Sequence, residues 1–343
     1  MSEESLKRAK CLHKELFVAD AHYDLLNFVA SKRIEKKRTG VIAADYLDSF
    51  RAGGVDLLIC SLFLDDCHVP EMALRRALDQ ISCLHEEMDE SGELALCRST
   101  SEIKAAKAAG KLAILLSFEG VEPLGSDLKL LRVFYELGVR GVGLTWSRRN
   151  YAADGCSDDP RKSGKKGGLT EFGVALVKKC EQLGMYIDVS HLNDEGFWDV
   201  CKVATKPFMA SHSNCRSITD VARNLTDMQI RALAERGGIM GLNSCGDFLY
   251  LSDDDEEMKA GPYEMASHGS RVKKLVGAKH LCFGFDFCDE MRANAGEPPL
   301  DAVEFYDHAY ELTAALIDKG FSEEELAGVL GGNIMSFLEK TIG

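Results

Sequence analysis

A histidine and a carboxylate stand two residues apart in Phe17-Val18-Ala19-Asp20-Ala21-His22-Tyr23-Asp24, at the end of an apolar run. If residues 17–20 form a buried strand, the two-residue side-chain period sends His22 and Asp24 to the same side just past its end. An imidazole nitrogen and a carboxylate oxygen converging on one point can hold a divalent metal. A lone His-x-Asp is more often an ordinary hydrogen-bonded strand end. Three further apolar runs shift the balance, because each stops at a residue able to bind metal: 112–117 before Glu119, 186–190 before His191, and 208–211 before His212.

These residues need elements to position them, and the chain alternates short apolar, β-branched runs with longer amphipathic segments. Strands are predicted over residues 17–20, 55–60, 113–117, 141–145, 186–190, 208–211, 238–242 and 281–285. Helices are predicted over 5–15, 70–90, 127–137, 170–183, 194–204, 226–236, 263–276, 303–318, 322–330 and 333–340. Gly138, Gly184 and Gly237 fall where a helix should stop before a strand, and Ser322 opens a capping pattern with Glu325. Eight buried strands in regular βα alternation predict a single (β/α)8 TIM-barrel domain over residues 1–343. No Gly-x-Gly-x-x-Gly follows the first strand, which argues against a doubly wound open sheet.

In such a barrel the chemistry sits at the C-terminal ends of the strands. His22 and Asp24 follow strand one, Glu119 strand three, His191 strand five, His212 strand six and Asp286 strand eight, so all six would line one cavity. Two histidines with a bridging carboxylate on one side, and a histidine with an aspartate on the other, suit two zinc-like ions ~3.5–4 Å apart. Such a pair clamps a hydroxide at neutral pH and polarises a carbonyl, so hydrolysis is the expected reaction.

Composition narrows the classes. The 343 residues are 45% hydrophobic, enough for one large domain, and the net charge of −14 argues against a nucleic-acid partner. The basic stretches 32–38 and 161–166 are short and read as solvated loops, as does the acidic run 252–257. No apolar segment approaches the ~20 residues that span a bilayer, and the first residues are polar with no apolar segment behind them. A cytoplasmic protein without membrane contact is expected. Twelve scattered cysteines without a Cys-x-x-Cys read as reduced thiols.

Several stretches carry a family resemblance: Asp20-Ala21-His22-Tyr23-Asp24-Leu25, Ser117-Phe118-Glu119-Gly120, Gly168-Leu169-Thr170-Glu171-Phe172-Gly173, Asp188-Val189-Ser190-His191-Leu192, Ser211-His212-Ser213-Asn214 with Arg223-Asn224, and Gly331-Gly332-Asn333. Together they resemble the membrane (renal) dipeptidases of the amidohydrolase superfamily over nearly the whole chain. The resemblance implies a binuclear zinc dipeptidase in which His22 and Asp24 bind one ion, His191 and His212 the other, and Glu119 bridges them. It implies Asp286 as the acid/base, and Arg223 as the group that takes the dipeptide's C-terminal carboxylate. It extends the substrates to L,D-dipeptides and implies a homodimer. His268 sits where relatives often carry a histidine, which implies a place behind the ligands.

Two positions depart from the pattern. Trp146 follows Leu144-Thr145 where the family often has a substrate-binding histidine, leaving the zinc pair, Asn150 or Arg148 to stabilise the oxyanion. Cys288-Asp289 follows the Asp286-Phe287 pair where Asp-Gly is common. The alternatives are another amidohydrolase acting on N-acyl amino acids, lactams or lactones, and a metal-binding barrel without catalysis.

Overall fold

The apolar runs become a closed ring of parallel strands in the computed structural model, which describes residues 1–157, 164, 166–250 and 260–343. In chain order they are β1 (Val18–Tyr23), β2 (Val55–Leu62), β3 (Leu94–Leu96), β4 (Leu112–Glu119), β5 (Val139–Gly143), β6 (Tyr186–Asp188), β7 (Met209–Ala210), β8 (Ile239–Leu242) and β9 (Leu281–Phe283). Pairing runs β1-β2-β4-β5-β6-β7-β8-β9 and closes where Asp20 meets Phe283. Helices cover the ring, giving the predicted (β/α)8 barrel. Both faces of each strand are therefore shielded, which is why β1 and β4 read as continuous buried runs.

β3 was not predicted. Residues 94–96 pair with residues 112–114 at the start of β4, while β5 pairs with residues 116–119 further along. A three-residue strand of this kind extends the sheet below the ring, and its short Leu-Ala-Leu carries too little period to be read from sequence.

Helix ends follow their capping residues. Thr170, Asn193, Thr226 and Ser322 each accept a backbone N–H of the first turn, and Thr226–Gln229 and Ser322–Glu325 form complete capping boxes. Gly138 and Gly184 end their helices at φ 112° and 75°, the left-handed region that glycine enters without penalty. Two predicted helices are shorter than expected. The segment 303–318 is α-helical over Tyr310–Asp318, preceded by a 3-10 turn at Tyr306–His308, and 322–330 is helical over Glu323–Ala327 before a π turn, Gly328–Gly332.

β1 departs from the regular period where it matters most. Asp20 pairs with Leu58 and Tyr23 with Cys60, so β1 spends three residues where β2 spends two. A bulge of this kind re-aims a side chain. It separates His22, whose ring meets Glu119, from Asp20, whose carboxylate turns to the Tyr306 hydroxyl and the Phe285 N–H.

On the far side of the ring, β7, β8 and the end of β9 approach so closely that only glycine fits. A Cβ at Gly241 or Gly284 would overlap the Ser211 carbonyl oxygen. Gly241→Ala is therefore expected to cost about 1–3 kcal/mol, the range for overpacking a close-packed interior, seen as a lower denaturant midpoint at unchanged slope. A loss below about 0.5 kcal/mol, the scale of a neutral surface change, would contradict this packing.

Candidate metal centre

Strand ends deliver six side chains to one point. His22 is the penultimate residue of β1 rather than beyond it, Asp24 opens the helix Leu25–Ile34, and Glu119 is the last residue of β4. His191, His212 and Asp286 follow β6, β7 and β9. His191 and Asp286 take φ of 65° and 52°, a left-handed conformation that turns the chain sharply at the strand end.

Glu119 is the hub. Its Oε2 lies 3.2 Å from His22 Nε2, and its Oε1 lies 3.0 Å from His191 Nε2 and 3.5 Å from His212 Nε2. Asp24 Oδ1 is 3.5 Å from His22 Nε2, and the Asp286 carboxylate reaches His22 at 3.7 Å and His212 at 3.9 Å. Two groupings share Glu119 with donor atoms close enough for one ion each: Glu119, His191 and His212, and His22, Asp24 and Glu119.

The electrostatics suit cations. Burial holds His191 and His212 well below the usual histidine range, with the charges of Arg223 and His22 adding to it, so both rings are neutral. Their Nε2 atoms are buried with no hydrogen-bond partner, a costly arrangement unless a further atom accepts the lone pairs. Burial also drives Glu119 well above its usual range, reinforced by Asp24. His22 is opposed by burial but carried upward by Glu119, Asp24 and Asp286. Neutral imidazoles facing crowded carboxylates form a donor set that fits divalent metal.

Behind the ligands stands a layer that sequence reasoning missed. The Ser211 hydroxyl donates to Asp188 and lies 2.7 Å from His212 Nδ1 and 3.4 Å from His22 Nδ1. Asp188 also accepts the Ser190 and Ser211 N–H groups at 3.0 and 2.9 Å. The Ser147 hydroxyl lies 2.9 Å from His191 Nδ1. With its hydrogen on Asp188, the Ser211 hydroxyl accepts from His212 Nδ1–H, which turns the His212 Nε2 lone pair to the cluster. The signal was present as Asp188 three residues before His191 and Ser211 immediately before His212. Ser61 donates to Asp24 Oδ1, and Asn243 donates to Asp286 Oδ2 at 2.9 Å.

A cavity of about 370 Å³ opens over the cluster. Asp24, Glu119, His191 and Asp286 form its polar floor, and Phe28, Phe63, Trp146, Phe287, Met291 and Leu300 are among its apolar walls. Trp146 packs 5.8 Å from the His191 ring and edge-on to Phe63.

Arg148, Asn150, His268 and Arg223 each have partners of their own. Arg148 pairs with Glu122 (2.7 Å) and Asp66 (3.0 Å), and Asn150 donates to the Leu144 carbonyl (2.8 Å). Both are tied into their own loop and border a different cavity. His268 accepts the Cys215 N–H and lies 3.1 Å from the Leu249 carbonyl, bracing two loops without touching a ligand. Arg223 donates to the His212 carbonyl (2.6 Å) and Ser213 Oγ (3.1 Å), leaving a buried Nε without a partner. Its guanidinium sits 5.6 Å over the ring of Phe248, which lines the cavity. The acidic run 252–257 lies outside the described residues, as does the basic stretch 161–166 apart from positions 164 and 166. Among the described residues no helix is long and apolar enough to cross a membrane.

Comparison with known proteins places this geometry in context. The sequence profile of the membrane dipeptidases (Peptidase family M19) matches residues 6–342. Dipeptidase 3 of Homo sapiens is 29% identical over 96% of this chain and 66% of its own length. An uncharacterised protein from Acinetobacter calcoaceticus is 36% identical over 52% of this chain and 56% of its own. The chain thus spans between half and two thirds of the length of these curated relatives. A solved metallopeptidase from Rhodobacter sphaeroides, liganded with a phosphinate mimic of the dipeptide L-Ala-D-Ala, superposes with a TM-score of 0.82 at 26% identity, covering 95% of this chain and 99% of that one.

The layer behind the histidines is open to test. Ser211→Ala removes the shared partner of two Nδ1 atoms and is expected to weaken divalent-ion binding about 10- to 100-fold, the usual cost of losing such a support. Calorimetric titration of the metal-free chain reads this directly, and unchanged affinity would show that Ser211 does not orient the rings.

Proposed function

The chain belongs to the membrane dipeptidase family, peptidase family M19, and on that premise we propose that it is a dipeptidase carrying two zinc ions at its barrel mouth. His22 and Asp24 would hold one ion, His191 and His212 the other, with Glu119 between them. The observation that carries this reading is Glu119, whose two carboxylate oxygens face different histidine sets 3.0–3.5 Å away. When bound, such a pair of ions supplies Lewis acidity, making water nucleophilic at neutral pH and polarising the substrate carbonyl.

The chain's own groups do the rest. Asp286 stands at the cavity floor with Oδ2 held by Asn243 and its backbone N–H bonded to the His22 carbonyl. This fixes the carboxylate to accept the proton of the attacking water and return it to the leaving amine. Arg223, its guanidinium 5.6 Å over the cavity-lining Phe248 ring, would attract the substrate's C-terminal carboxylate. Phe63 and Trp146 wall the cavity beside the His191 ring and would shield a bound substrate on that side. L,D- as well as L,L-dipeptides are proposed as substrates, supported by the L-Ala-D-Ala mimic bound by the Rhodobacter relative.

Substrate profiling separates this activity from hydrolysis of N-acyl amino acids or lactams. Turnover is expected to need both a free amino and a free carboxyl end, and equal rates on blocked analogues would reject a dipeptidase. Asp286→Asn is expected to lower kcat by 10²- to 10⁴-fold, the usual contribution of a positioned proton carrier, while metal content stays at that of the wild type.

The pH dependence has a definite sign. Burial pushes Asp286 up to about 6, with Asp24 adding and His22, Arg223 and Asn243 opposing. Only its ionised form accepts a proton, so kcat/KM should rise with pH through its pKa. Bound cations favour the ionised form, so the acid limb should fall at or below about pH 6. A limb that persists in Asp286→Asn would assign it to another group.

A further inference from the structure

The cavity over the metal cluster is lined unevenly. Its charged side chains outside the cluster are Asp247, Arg292 and Glu297, all from segments that follow β8 and β9. The segments that follow β1, β2 and β5 contribute Phe28, Phe63 and Trp146 instead. Among the described residues, those three segments bring no charged side chain to the cavity apart from Asp24 of the cluster.

Trp146 is a fixed wall. Its ring lies 5.7 Å edge-on from Phe63 and 5.8 Å from His191, with the Arg148 guanidinium 5.2 Å away. Arg148 is held by Glu122 (2.7 Å), Asp66 (3.0 Å) and the Leu64 carbonyl (2.9 Å), so it links the indole to the segment that carries Phe63. The Phe63 carbonyl in turn accepts the Gln80 side-chain amide at 2.6 Å. A corner ordered before the ligand arrives spares the cost of ordering it on binding. Two rings meeting edge-on leave faces and edges to which a third ring can pack in offset or edge-to-face contact.

Strand order assigns this corner to one end of the substrate. Arg223 and Phe248 follow β7 and β8, and β2 lies four strands from β7 in either direction around the ring. With the C-terminal carboxylate at Arg223 and the scissile bond over the metal cluster, the N-terminal residue extends across the mouth toward β2. The cavity of about 370 Å³ is near the lower end of the roughly 300–1,000 Å³ spanned by ligand pockets, which suits a two-residue backbone with one bulky side chain.

We propose that Phe63 and Trp146 form the subsite for the side chain of the substrate's N-terminal residue, and select dipeptides that begin with a large apolar residue, above all an aromatic one. The inference rests on the dipeptidase reading and on Arg223 as its carboxylate pole. Phe63 and Trp146 set specificity here and carry neither metal nor proton.

Binding tests the subsite without relying on turnover. Phosphinate mimics of L-Phe-L-Ala and L-Ala-L-Phe present the same two side chains in reversed order. Their dissociation constants are measured by calorimetry on the zinc-loaded chain, alongside hydrolysis of L-Ala-L-Ala. The Phe-first mimic should bind at least about 10-fold tighter, the scale of burying one apolar side chain. Trp146→Ala should remove most of that ratio, and Trp146→Phe, which keeps a ring, should retain part of it. Because Trp146 packs on His191, zinc content and thermal unfolding check each variant, and Phe63→Ala should lower the ratio independently. A Phe-first preference lost in these variants supports the subsite even where no dipeptide is turned over, an outcome that counts against the activity alone. Equal constants, tighter binding of the Ala-first mimic, or a preference that survives in the folded variants would overturn the subsite while L-Ala-L-Ala hydrolysis upholds the dipeptidase reading. No binding of either mimic would also overturn it, and the absence of hydrolysis as well would reject that reading.

Discussion

The structure depends on a buried carboxylate at the barrel mouth. Glu119 is 3% exposed, surrounded by three imidazoles and two further carboxylates, where water cannot solvate its charge. Ionised groups so placed are expensive unless they are paired or coordinate a metal. His22 can neutralise one carboxylate by taking a proton, but His191 and His212 are held neutral with buried, unpartnered Nε2 atoms. A cluster with this surplus of lone pairs resolves its own electrostatics by taking up cations.

The barrel makes the cluster tolerable by fixing it from outside. Ser211 and Asp188 hold two rings, Ser147 the third, and Ser61 and Asn243 the flanking carboxylates. Asp20 ties β1 to the Phe285 N–H and to Tyr306, so the strand carrying His22 and the turn carrying Asp286 share one brace. The bulge in β1 and the left-handed turns at His191 and Asp286 are the local distortions needed to aim side chains from parallel strands at one point. Function here rests on strand ends, and the apolar runs below them serve to keep those ends in register.

Much of this was legible from sequence because the signal is a coincidence of two patterns: an apolar run ending at a ligand-type residue, repeated around a barrel. The eight ring strands and the convergence of His22, Asp24, Glu119, His191, His212 and Asp286 follow from it. The rest depends on contacts between segments distant in sequence. Arg148 and Asn150 were two of the three alternatives for the oxyanion, and their loop folds on Glu122 and Leu144, partners with no local signature. His268 looked like a support for the ligands and instead braces Cys215 and Leu249. Ser147, Asp188 and Ser211 were hidden by being common residues whose role appears only once the rings they face are in place.

The central claim is that Glu119 lies between two metal ions. The most direct measurement is anomalous diffraction at the zinc absorption edge from crystals of the zinc-loaded chain. The account predicts two peaks about 3.5–4 Å apart, one beside His22 and Asp24 and one beside His191 and His212, each in contact with a different Glu119 oxygen. A single peak, or two that leave Glu119 uncoordinated, would contradict it.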